Sequence, residues 1–301
     1  MAAPFRIVLF VEEEGGDWHA RRLAKAMEAR GAEVVTTTLT RCAFDTAAPS
    51  GLDIPGFDGG LPDGAFVRSI SVGGLEQITF RLGILHALRA SGVRVWNDAR
   101  AIERCVDKST ATFLFRKAGL PTPATRVVEG AAAALAHAEA MAQPLVVKPL
   151  FGSQGNGVMK AATPPDLPPP ETMGQVYYMQ PYLRAADAIE FEDWRVFVSC
   201  GRILSAMVRR SNSWITNVHQ GAAPQAHLPS YEMQRLALAA TQVVGADYAG
   251  VDLIAGPDGE LLVLEINSNP AWKGLQSVTD VEIADTLADD FLIALRSVPR
   301  R

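Results

Sequence analysis

Strands and helices alternate along the first 98 residues, and this pattern constrains the fold more strongly than any other feature of the sequence. Residues 5–11 form an apolar run that predicts a buried strand, residues 18–30 have helical spacing, and residues 32–39 predict the next strand. Strands that alternate with helices favour a parallel sheet covered on both faces. We therefore predict an N-terminal α/β lobe over residues 1–98.

The rest of the chain has a different pattern. Residues 99–183 contain helical stretches, a strand and a glycine-rich loop, whereas residues 184–301 contain antiparallel strands with one helix between them. The proline-rich run at 163–171 cannot lie inside a helix or a sheet, so we expect it on the surface. The predicted fold class is an α/β lobe followed by an α+β region, divided at residues 98 and 183.

Composition and charge exclude several classes of function. A formal charge of −5 disfavours a sequence-independent nucleic-acid binder, which needs clustered basic residues to displace counterions from phosphates. The N-terminal apolar run is too short for a signal peptide or a membrane span. Cys42, Cys105 and Cys200 are not clustered and are expected to be reduced thiols. We expect a soluble cytoplasmic protein with neither a nucleic-acid nor a membrane partner.

Residues 250–270, GVDLIAGPDGELLVLEINSNP, predict a hairpin that carries acidic side chains. Asp258-Gly259 between apolar runs is typical of a two-residue type I′ turn. With that turn, Asp252 lies opposite Glu265, and Asn267 projects from the same face. The two carboxylates either lie on a solvated strand face or hold a cation between them. We favour the cation, because their neighbours along both strands are apolar.

The three candidate ligands are hard oxygen donors and are too few to enclose an ion completely. Mg²⁺ bound by so few protein ligands usually completes its coordination with water and phosphate oxygens. We also expect the acids to act only at the site, so that replacing either Asp252 or Glu265 by alanine abolishes turnover and leaves the fold intact.

Lys148 lies in a predicted strand and is followed by the loop GSQGNG at residues 152–157. Such a loop can turn successive N–H groups toward an anion, although glycine-rich turns are common and the pattern alone is weak. It is neither a P-loop nor a dinucleotide-binding fingerprint. Together with Lys108 and the predicted metal ligands, however, it indicates a site for a nucleoside triphosphate.

An ordered set of segments resembles the ATP-grasp ligases, specifically the RimK-like α-L-glutamate ligases. The resemblance runs from about residue 64 to the C-terminal helix and is carried by DKSTATFLFRKAGLPTP, PLVVKPLFGSQGNGV, MQPYL, DWRVFV, RRSNSWITNVHQG, AGVDLI and LEINSNPAWKGLQ. Within that group, residues 66–108 and the segment NPAWKGLQ are most similar to enzymes that glutamylate coenzymes of the tetrahydromethanopterin type. The resemblance implies an ATP-grasp fold with an N-terminal pre-ATP-grasp lobe, a central lid subdomain and a C-terminal antiparallel-sheet subdomain.

The resemblance also implies which residues bind the nucleotide and its metal. The phosphate-binding and lid residues are Lys108, Lys148, Gly152, Ser153, Gln154 and Gly155. The hinge that contacts adenine is Gln180, Pro181 and Leu183, through the carbonyl group of residue 181 and the amide of residue 183. Asp193 is implied to contact the nucleotide, with Asp187 as a rival for the ribose. Asp252, Glu265 and Asn267 match the ligands of Mg²⁺, for which Mn²⁺ is a substitute.

Arg210 and Asn217 match residues around the phosphate and the acceptor carboxylate, with Arg195 as a weaker candidate. Because adjacent strand residues face opposite sides, at most one of Arg209 and Arg210 should face the site. Ile215 stands where similar enzymes carry an arginine, which puts the acceptor specificity in doubt.

Two further residues have open roles. His219 either orients the acceptor or deprotonates the incoming ammonium group, but a lone histidine is more often structural. Lys273 either lies near substrate carboxylates or belongs to a surface turn.

The implied reaction uses ATP, L-glutamate and a small carboxylate acceptor. The acceptor carboxylate attacks the γ-phosphate to form an acyl phosphate, and the amine then displaces phosphate to form an amide. The alternative is a ligase that uses another amino acid or a protein or peptide acceptor, of the ribosomal-protein or lysine-biosynthesis carrier type. A catalytically inactive regulator would lack a lysine or a metal ligand, and none is missing. The resemblance leaves open whether the chain forms a homo-oligomer.

Overall fold

The computed structural model describes residues 3–152, 155–184 and 190–297. The chain divides into two compact units. The first unit comprises the described residues of 1–102, 246–248 and 269–301, and the second comprises those of 103–245 and 249–268. The residues that follow 268 thus group with the N-terminal lobe. Within the described ranges, no helix combines the length and the apolar character needed to cross a membrane.

The first unit is built on a four-stranded parallel sheet, which confirms the predicted α/β lobe. The strands follow the order β2-β1-β5-β6. They are β1 (Arg6–Phe10), β2 (Glu33–Thr37), β5 (Gly64–Val67) and β6 (Arg94–Trp96). A short hairpin, β3 (Ala43–Phe44) and β4 (Leu52–Asp53), precedes β5. The helices are α1 (Trp18–Glu28), α2 (Leu75–Ala90), α7 (Lys273–Gln276) and α8 (Ile283–Arg296).

Helix α8 belongs to the first unit because its apolar face packs against the parallel sheet. A Cβ atom at Gly64 would lie only 2.5 Å from Leu295 and 2.9 Å from Phe291, so glycine permits this close approach. The ring of Phe291 lies 5.3 Å from that of Phe66 and 5.6 Å from that of Trp96. Burial of such large apolar side chains is the main stabilising contribution of this contact.

The second unit contains two sheets. The four-stranded sheet is antiparallel and has the order β7-β10-β8-β9. Its strands are β7 (Arg126–Glu129), β8 (Leu145–Pro149), β9 (Met159–Ala161) and β10 (Val176–Pro181). Between β9 and β10, the proline-rich run forms two short 3-10 helices, Pro164–Asp166 and Pro170–Met173. The run is thus outside the α-helices and the sheet, as predicted, but Met173 anchors its end in the core.

The five-stranded sheet of the second unit has the order β13-β12-β11-β14-β15, and each hairpin in it is antiparallel, as predicted. Its strands are β11 (Phe191–Ser199), β12 (Arg202–Ser211), β13 (Ala223–Ala226), β14 (Tyr248–Ala255) and β15 (Leu261–Asn267). The remaining helices are α3 (Ala99–Val106), α4 (Lys108–Lys117), α5 (Ala131–Met141) and α6 (Tyr231–Val244). Helix α4 packs against α6 and β15, which brings its N-terminus toward the acidic hairpin.

Candidate functional site

A cavity of about 910 Å³ opens in the second unit and is lined by residues of both its sheets. This volume is in the range of sites that bury a molecule as large as a nucleotide. The walls contain many of the residues singled out from the sequence. These are Lys108, Lys148, Gly152, Gly155, Gln180, Pro181, Leu183, Asp193, Arg210, Ile215, Asn217, Asp252 and Glu265. Ser153, Gln154 and Asp187 lie outside the described residues.

The hairpin of β14 and β15 places Asp252 directly opposite Glu265, as predicted, but by a different route. The prediction of a type I′ turn is wrong. That turn needs a positive φ at both central residues, whereas Asp258 has a negative φ and only Gly259 has a positive one, of 80°. The amide of Gly256 donates to the carbonyl group of Glu260, which makes the loop one residue longer. A β-bulge beyond Asp252 then shifts the register back by one residue, so the two deviations cancel.

Asp252 is held by two arginines. Its carboxylate accepts two hydrogen bonds of 2.7 Å from Arg195 and lies 3.1 Å from Nη2 of Arg209. Arg209 also forms a two-point contact with Asp193 on the neighbouring strand. Burial alone would raise the pKa of Asp252, but the two guanidinium groups outweigh it and lower that pKa. Two arginines and two aspartates thus form one network, in which Asp193, Arg209 and Asp252 are buried and line the cavity and Arg195 is partly exposed.

Glu265 differs from Asp252 because it has no hydrogen bond or ion pair with any described residue, although it lines the cavity. Asn267 lies two residues further along β15, and its buried Nδ2 atom has no partner in the described part of the chain. The carboxylate oxygens of Glu265 and Oδ1 of Asn267 are hard ligands that fit a site for a hard cation, whereas the unbonded Nδ2 of Asn267 can only donate a hydrogen bond, for example to a phosphate oxygen. No cluster of three or more acidic, histidine or cysteine side chains suited to a metal occurs among the described residues.

Two lysines reach the cavity from different elements. Lys108 is the first residue of α4, and its Nζ atom donates to the carbonyl group of Gly152 at 2.8 Å. Lys148 lies on β8, is 8% exposed and donates to Oε1 of Gln180 at 3.0 Å. Burial lowers the pKa of Lys148 to about 8; nearby Glu265 opposes this effect and Lys108 adds to it. These cations lack a full set of protein partners and can accept an anion.

The affinity for a nucleoside triphosphate should fall as the pH rises through about 8. Lys148 is protonated below its pKa of about 8 and attracts phosphate, whereas above that pH binding must first return a proton to the amine. We expect a loss of up to about tenfold in affinity per pH unit above 8, measured by calorimetry with a non-hydrolysable ATP analogue. In a Lys148→Arg control this alkaline loss should disappear, and its persistence there would assign the titration to another group.

The predicted hinge lines the cavity through Pro181 and Leu183 at the end of β10. Gln180 is different, because its side chain is buried and bonds to Lys148. Beyond the hinge, the ring of Tyr182 lies 3.6 Å from Nζ of Lys160 and 6.0 Å from the ring of Trp214. The hinge thus contacts β9 through Lys160 and the segment after β12 through Trp214.

The glycine loop touches the segment after β12 that carries Asn217. Gly155 has a φ of 74°, and a Cβ atom there would lie 2.6 Å from Oδ1 of Asn217 and 2.7 Å from Nε2 of Gln220. It would also lie 3.1 Å from Ile215. A side chain at position 155 would therefore carry backbone strain and would displace the ends of the Asn217 and Gln220 side chains.

Replacing Gly155 by alanine should displace Asn217 and slow turnover by about tenfold to a hundredfold, since small misplacements at a site are costly. Gly157→Ala is the matched control. Its φ of 72° carries the same backbone strain of roughly 1–2 kcal/mol, but the new Cβ would meet only Pro149, at 3.2 Å. Equal turnover in the two variants, at equal thermal stability, would show that the contact with Asn217 has no effect on activity.

The structure separates other candidates. Arg210 borders the cavity but is exposed, and it contacts Glu192 and Gln225 rather than the acidic hairpin. His219 is exposed and is absent from the cavity walls. Lys273 lies in the first unit, where its amide donates to Nε2 of His19. Arg209, which we did not select from the sequence, contacts Asp252 together with Arg195, the weaker of the sequence candidates.

Comparison with known proteins gives consistent results. A family model described as a RimK-like ATP-grasp domain matches residues 105–291. A tetrahydromethanopterin:α-L-glutamate ligase of Methanococcus maripaludis is 36% identical over 76% of this chain and 78% of its own. A ligase of the same name from Methanocaldococcus jannaschii is 31% identical over 78% of this chain and 81% of its own. A solved structure of the ATP-grasp ligase PsnB with a minimal precursor covers 98% of this chain and 100% of its own, with a TM-score of 0.74 and 21% identity.

Proposed function

Because this chain belongs to the RimK-like ATP-grasp family, whose members are ATP-dependent ligases, we propose that it joins L-glutamate to a carboxylate of a small coenzyme. The acceptor class is a one-carbon carrier of the tetrahydromethanopterin or methylofuran type. The observation that carries the proposal is the convergence of Lys108, Lys148, the carboxylate of Glu265 and the buried Arg209 on one cavity. The names of the similar ligases support glutamate as the amine.

The nucleotide would occupy the cavity between the hinge and the lysines. We assign adenine contacts to the carbonyl group of Pro181 and the amide of Leu183, because these residues end a strand and line the wall. Lys108 and Lys148 would bind the phosphates as point charges. The backbone of the glycine loop, Gly152, Ser153, Gln154 and Gly155, would add N–H donors.

Glu265 and Asn267 would hold Mg²⁺, or Mn²⁺ in its place, with Asp252 as the third ligand. The ion would supply Lewis-acid stabilisation of charge on the phosphates. Of these residues, Glu265 is the least restrained by other protein groups, and Asp252 is the most restrained. Asp193 has both oxygens on Arg209, so we propose that it orients that arginine instead of contacting the nucleotide.

The chemistry proceeds in two displacements. An oxygen of the acceptor carboxylate attacks the γ-phosphorus and the bond to ADP breaks, which leaves an acyl phosphate. The glutamate amine then attacks the acyl carbon, inorganic phosphate leaves and the nitrogen loses a proton. Arg209 lines the cavity and is suited to the charge that develops, because a planar guanidinium group can bond two oxygens at once. Arg195 is not among the cavity walls and would act by holding Asp252 in place.

Acceptor contacts are assigned to Asn217 and Arg210 at the outer wall of the cavity. Asn217 can donate to a carboxylate through its amide, and Arg210 is held only by exposed partners that a substrate can replace. Ile215 lies beside them, where an arginine would favour an anionic acceptor and isoleucine favours an apolar one. This difference leaves a protein or peptide carboxylate as the second candidate acceptor.

The proposal is tested by incubating the purified chain with ATP, Mg²⁺, L-glutamate and a panel of coenzyme and peptide acceptors. We expect phosphate release that requires both glutamate and a coenzyme, and a product heavier by one or more glutamyl residues by mass spectrometry. A Lys148→Met variant serves as the inactive control. Stimulation by lysine or alanine in place of glutamate, or acceptance of peptides alone, would contradict the proposed substrates but leave the ligase assignment in place.

A further inference from the structure

Gln180 has a position that the proposed reaction does not explain. It is the last residue but one of β10 and the first residue of the predicted hinge, and it borders the cavity, yet its side chain is only 2% exposed. Its Oε1 atom accepts from Lys148 at 3.0 Å. Its Nε2 atom donates to Oη of Tyr178 at 2.8 Å and to Oγ1 of Thr125 at 3.0 Å. All of the side chain's polar atoms are therefore bonded to protein groups.

The directions of these hydrogen bonds follow from the chemistry of the partners. The Lys148 ammonium group can only donate, so it must face the carbonyl oxygen of Gln180. The amide protons must then point to Tyr178 and Thr125. The hydroxyl group of Tyr178 accepts from Gln180 and shares a second hydrogen bond of 2.8 Å with Oγ1 of Thr112, in which either hydroxyl group can donate. A continuous series of hydrogen bonds thus runs from Lys148 through Gln180 and Tyr178 to Thr112.

This series of hydrogen bonds connects the two lysines of the cavity. Thr112 lies one helical turn after Lys108 on α4, and residues four apart lie on the same face of a helix. The other end of the series holds Lys148 on β8. The face of the Tyr178 ring also lies beneath Lys148, with Nζ 5.6 Å from the ring centroid. Movement of α4 against the sheet would therefore alter the position of both cations.

We propose that Gln180 is a positioning residue for Lys148, and that Tyr178 and Thr112 fix Gln180 and couple Lys148 to the helix that carries Lys108. The role of Lys148 in phosphate binding rests on the proposed function, but the series of hydrogen bonds does not. Gln180 itself contacts no phosphate and acts only through Lys148.

The first test measures the ionisation of Lys148 directly. The protein has only six lysines, so ¹³Cε-labelled lysine gives few signals, and Lys148→Met identifies the one of interest. Charged or ionisable groups face Lys148 from each neighbouring element: Lys108 from α4, Tyr178 from β10, Asp252 from β14 and Glu265 from β15. All of them are unchanged in Gln180→Glu and Gln180→Leu, so a difference between these two variants reports the group at position 180.

We expect Gln180→Glu to raise the pKa of Lys148, because a carboxylate replaces a neutral oxygen, and Gln180→Leu to lower it, because the acceptor is lost. Damage to packing alone would not move the pKa in opposite directions in two side chains of similar size. Unchanged titration of Lys148 in both variants would overturn the proposal.

The second test is a double-mutant cycle on Tyr178 and Thr112, with the affinity for a non-hydrolysable ATP analogue as the readout. Tyr178→Phe and Thr112→Val both keep the core volume, and each should weaken binding by about fivefold. The double variant should bind no worse than Tyr178→Phe alone, because that change already removes the hydrogen bond to Thr112 along with the one from Gln180. Additive losses would overturn the coupling to α4.

The two proposals fail separately. Opposite shifts in the pKa of Lys148 without glutamate ligation would keep the positioning role and overturn the proposed function. Glutamate ligation with no shift in the pKa of Lys148 would keep the proposed function and overturn the positioning role of Gln180.

Discussion

Replacing Glu265 by glutamine is expected to reduce ATP-dependent ligation by about 10³-fold or more, because losing a charged metal ligand removes several kcal/mol of charge stabilisation. The thermal stability should not fall. The side chain of Glu265 lines the cavity and has no hydrogen bond or ion pair with any described residue; its charge acts on buried Lys148 without a direct contact, and Lys148 keeps its hydrogen bond to Gln180. Phosphate release and a thermal melt measure the two effects on the same sample.

Glu260→Gln is the matched control for this variant. Glu260 lies five residues earlier in the same hairpin, is exposed and is not part of the cavity walls, so the same change of chemistry should leave turnover near the wild-type rate. A secondary effect is also expected in Glu265→Gln. Glu265 raises the pKa of Lys148, so its removal should move the alkaline loss of nucleotide affinity to lower pH. Wild-type turnover in Glu265→Gln would remove Glu265 from the proposed metal site.

The hairpin at residues 250–267 shows what could be predicted from the sequence and what could not. Alternation along each strand correctly placed Asp252 and Glu265 on one face. The turn type was wrong, since Pro257 precedes Asp258 and the loop uses a positive φ only at Gly259. The prediction of the pair still succeeded because the β-bulge near Leu253 shifts the register by one residue in the opposite sense. Local turn signals carry no information about such a bulge.

We selected Arg210 from the resemblance, whereas a second bulge determines which of the two adjacent arginines faces Asp193. Cys200 and Gly201 both have positive φ and form a two-residue turn, and Ser199 pairs with Arg202. Continued without interruption, that register would set Arg210, and not Arg209, on the face of Asp193. The shift between Phe197 and Val198 moves Arg209 opposite Asp193 instead. This shift of one residue in the register buries Arg209 and leaves Arg210 exposed.

The grouping of α8 with the N-terminal lobe is a long-range effect. The apolar spacing of residues 283–296 predicts a helix, but it does not indicate which sheet the helix covers. That choice depends on Gly64, whose missing side chain admits Phe291 and Leu295, and on ion pairs between Arg30, which follows α1, and two aspartates of α8. Contacts between residues more than 200 positions apart leave no periodic signal in either segment.

Asp252→Asn should lose turnover as Glu265→Gln does, but it should also lower the stability by about 3–5 kcal/mol, the cost of leaving a buried charge without its partner. This corrects the expectation that either acid can be removed with the fold intact. Arg195 makes both of its side-chain hydrogen bonds to Asp252, and Arg209 has its second contact there. Urea unfolding of the two variants, side by side, measures the difference.

The pH dependence of that stability difference tests its electrostatic origin. Folding lowers the pKa of Asp252 from 3.8, so the contribution of its charge is complete above that pH and is lost as the pH falls through the lower, folded-state pKa. The gap between the wild type and Asp252→Asn should therefore narrow below pH 3.8. Adding Arg195→Met to Asp252→Asn should cost less than it does in the wild type, because the two side chains stabilise each other. A pH-independent gap, or strictly additive losses, would mean that Asp252 contributes through packing and not through its charge.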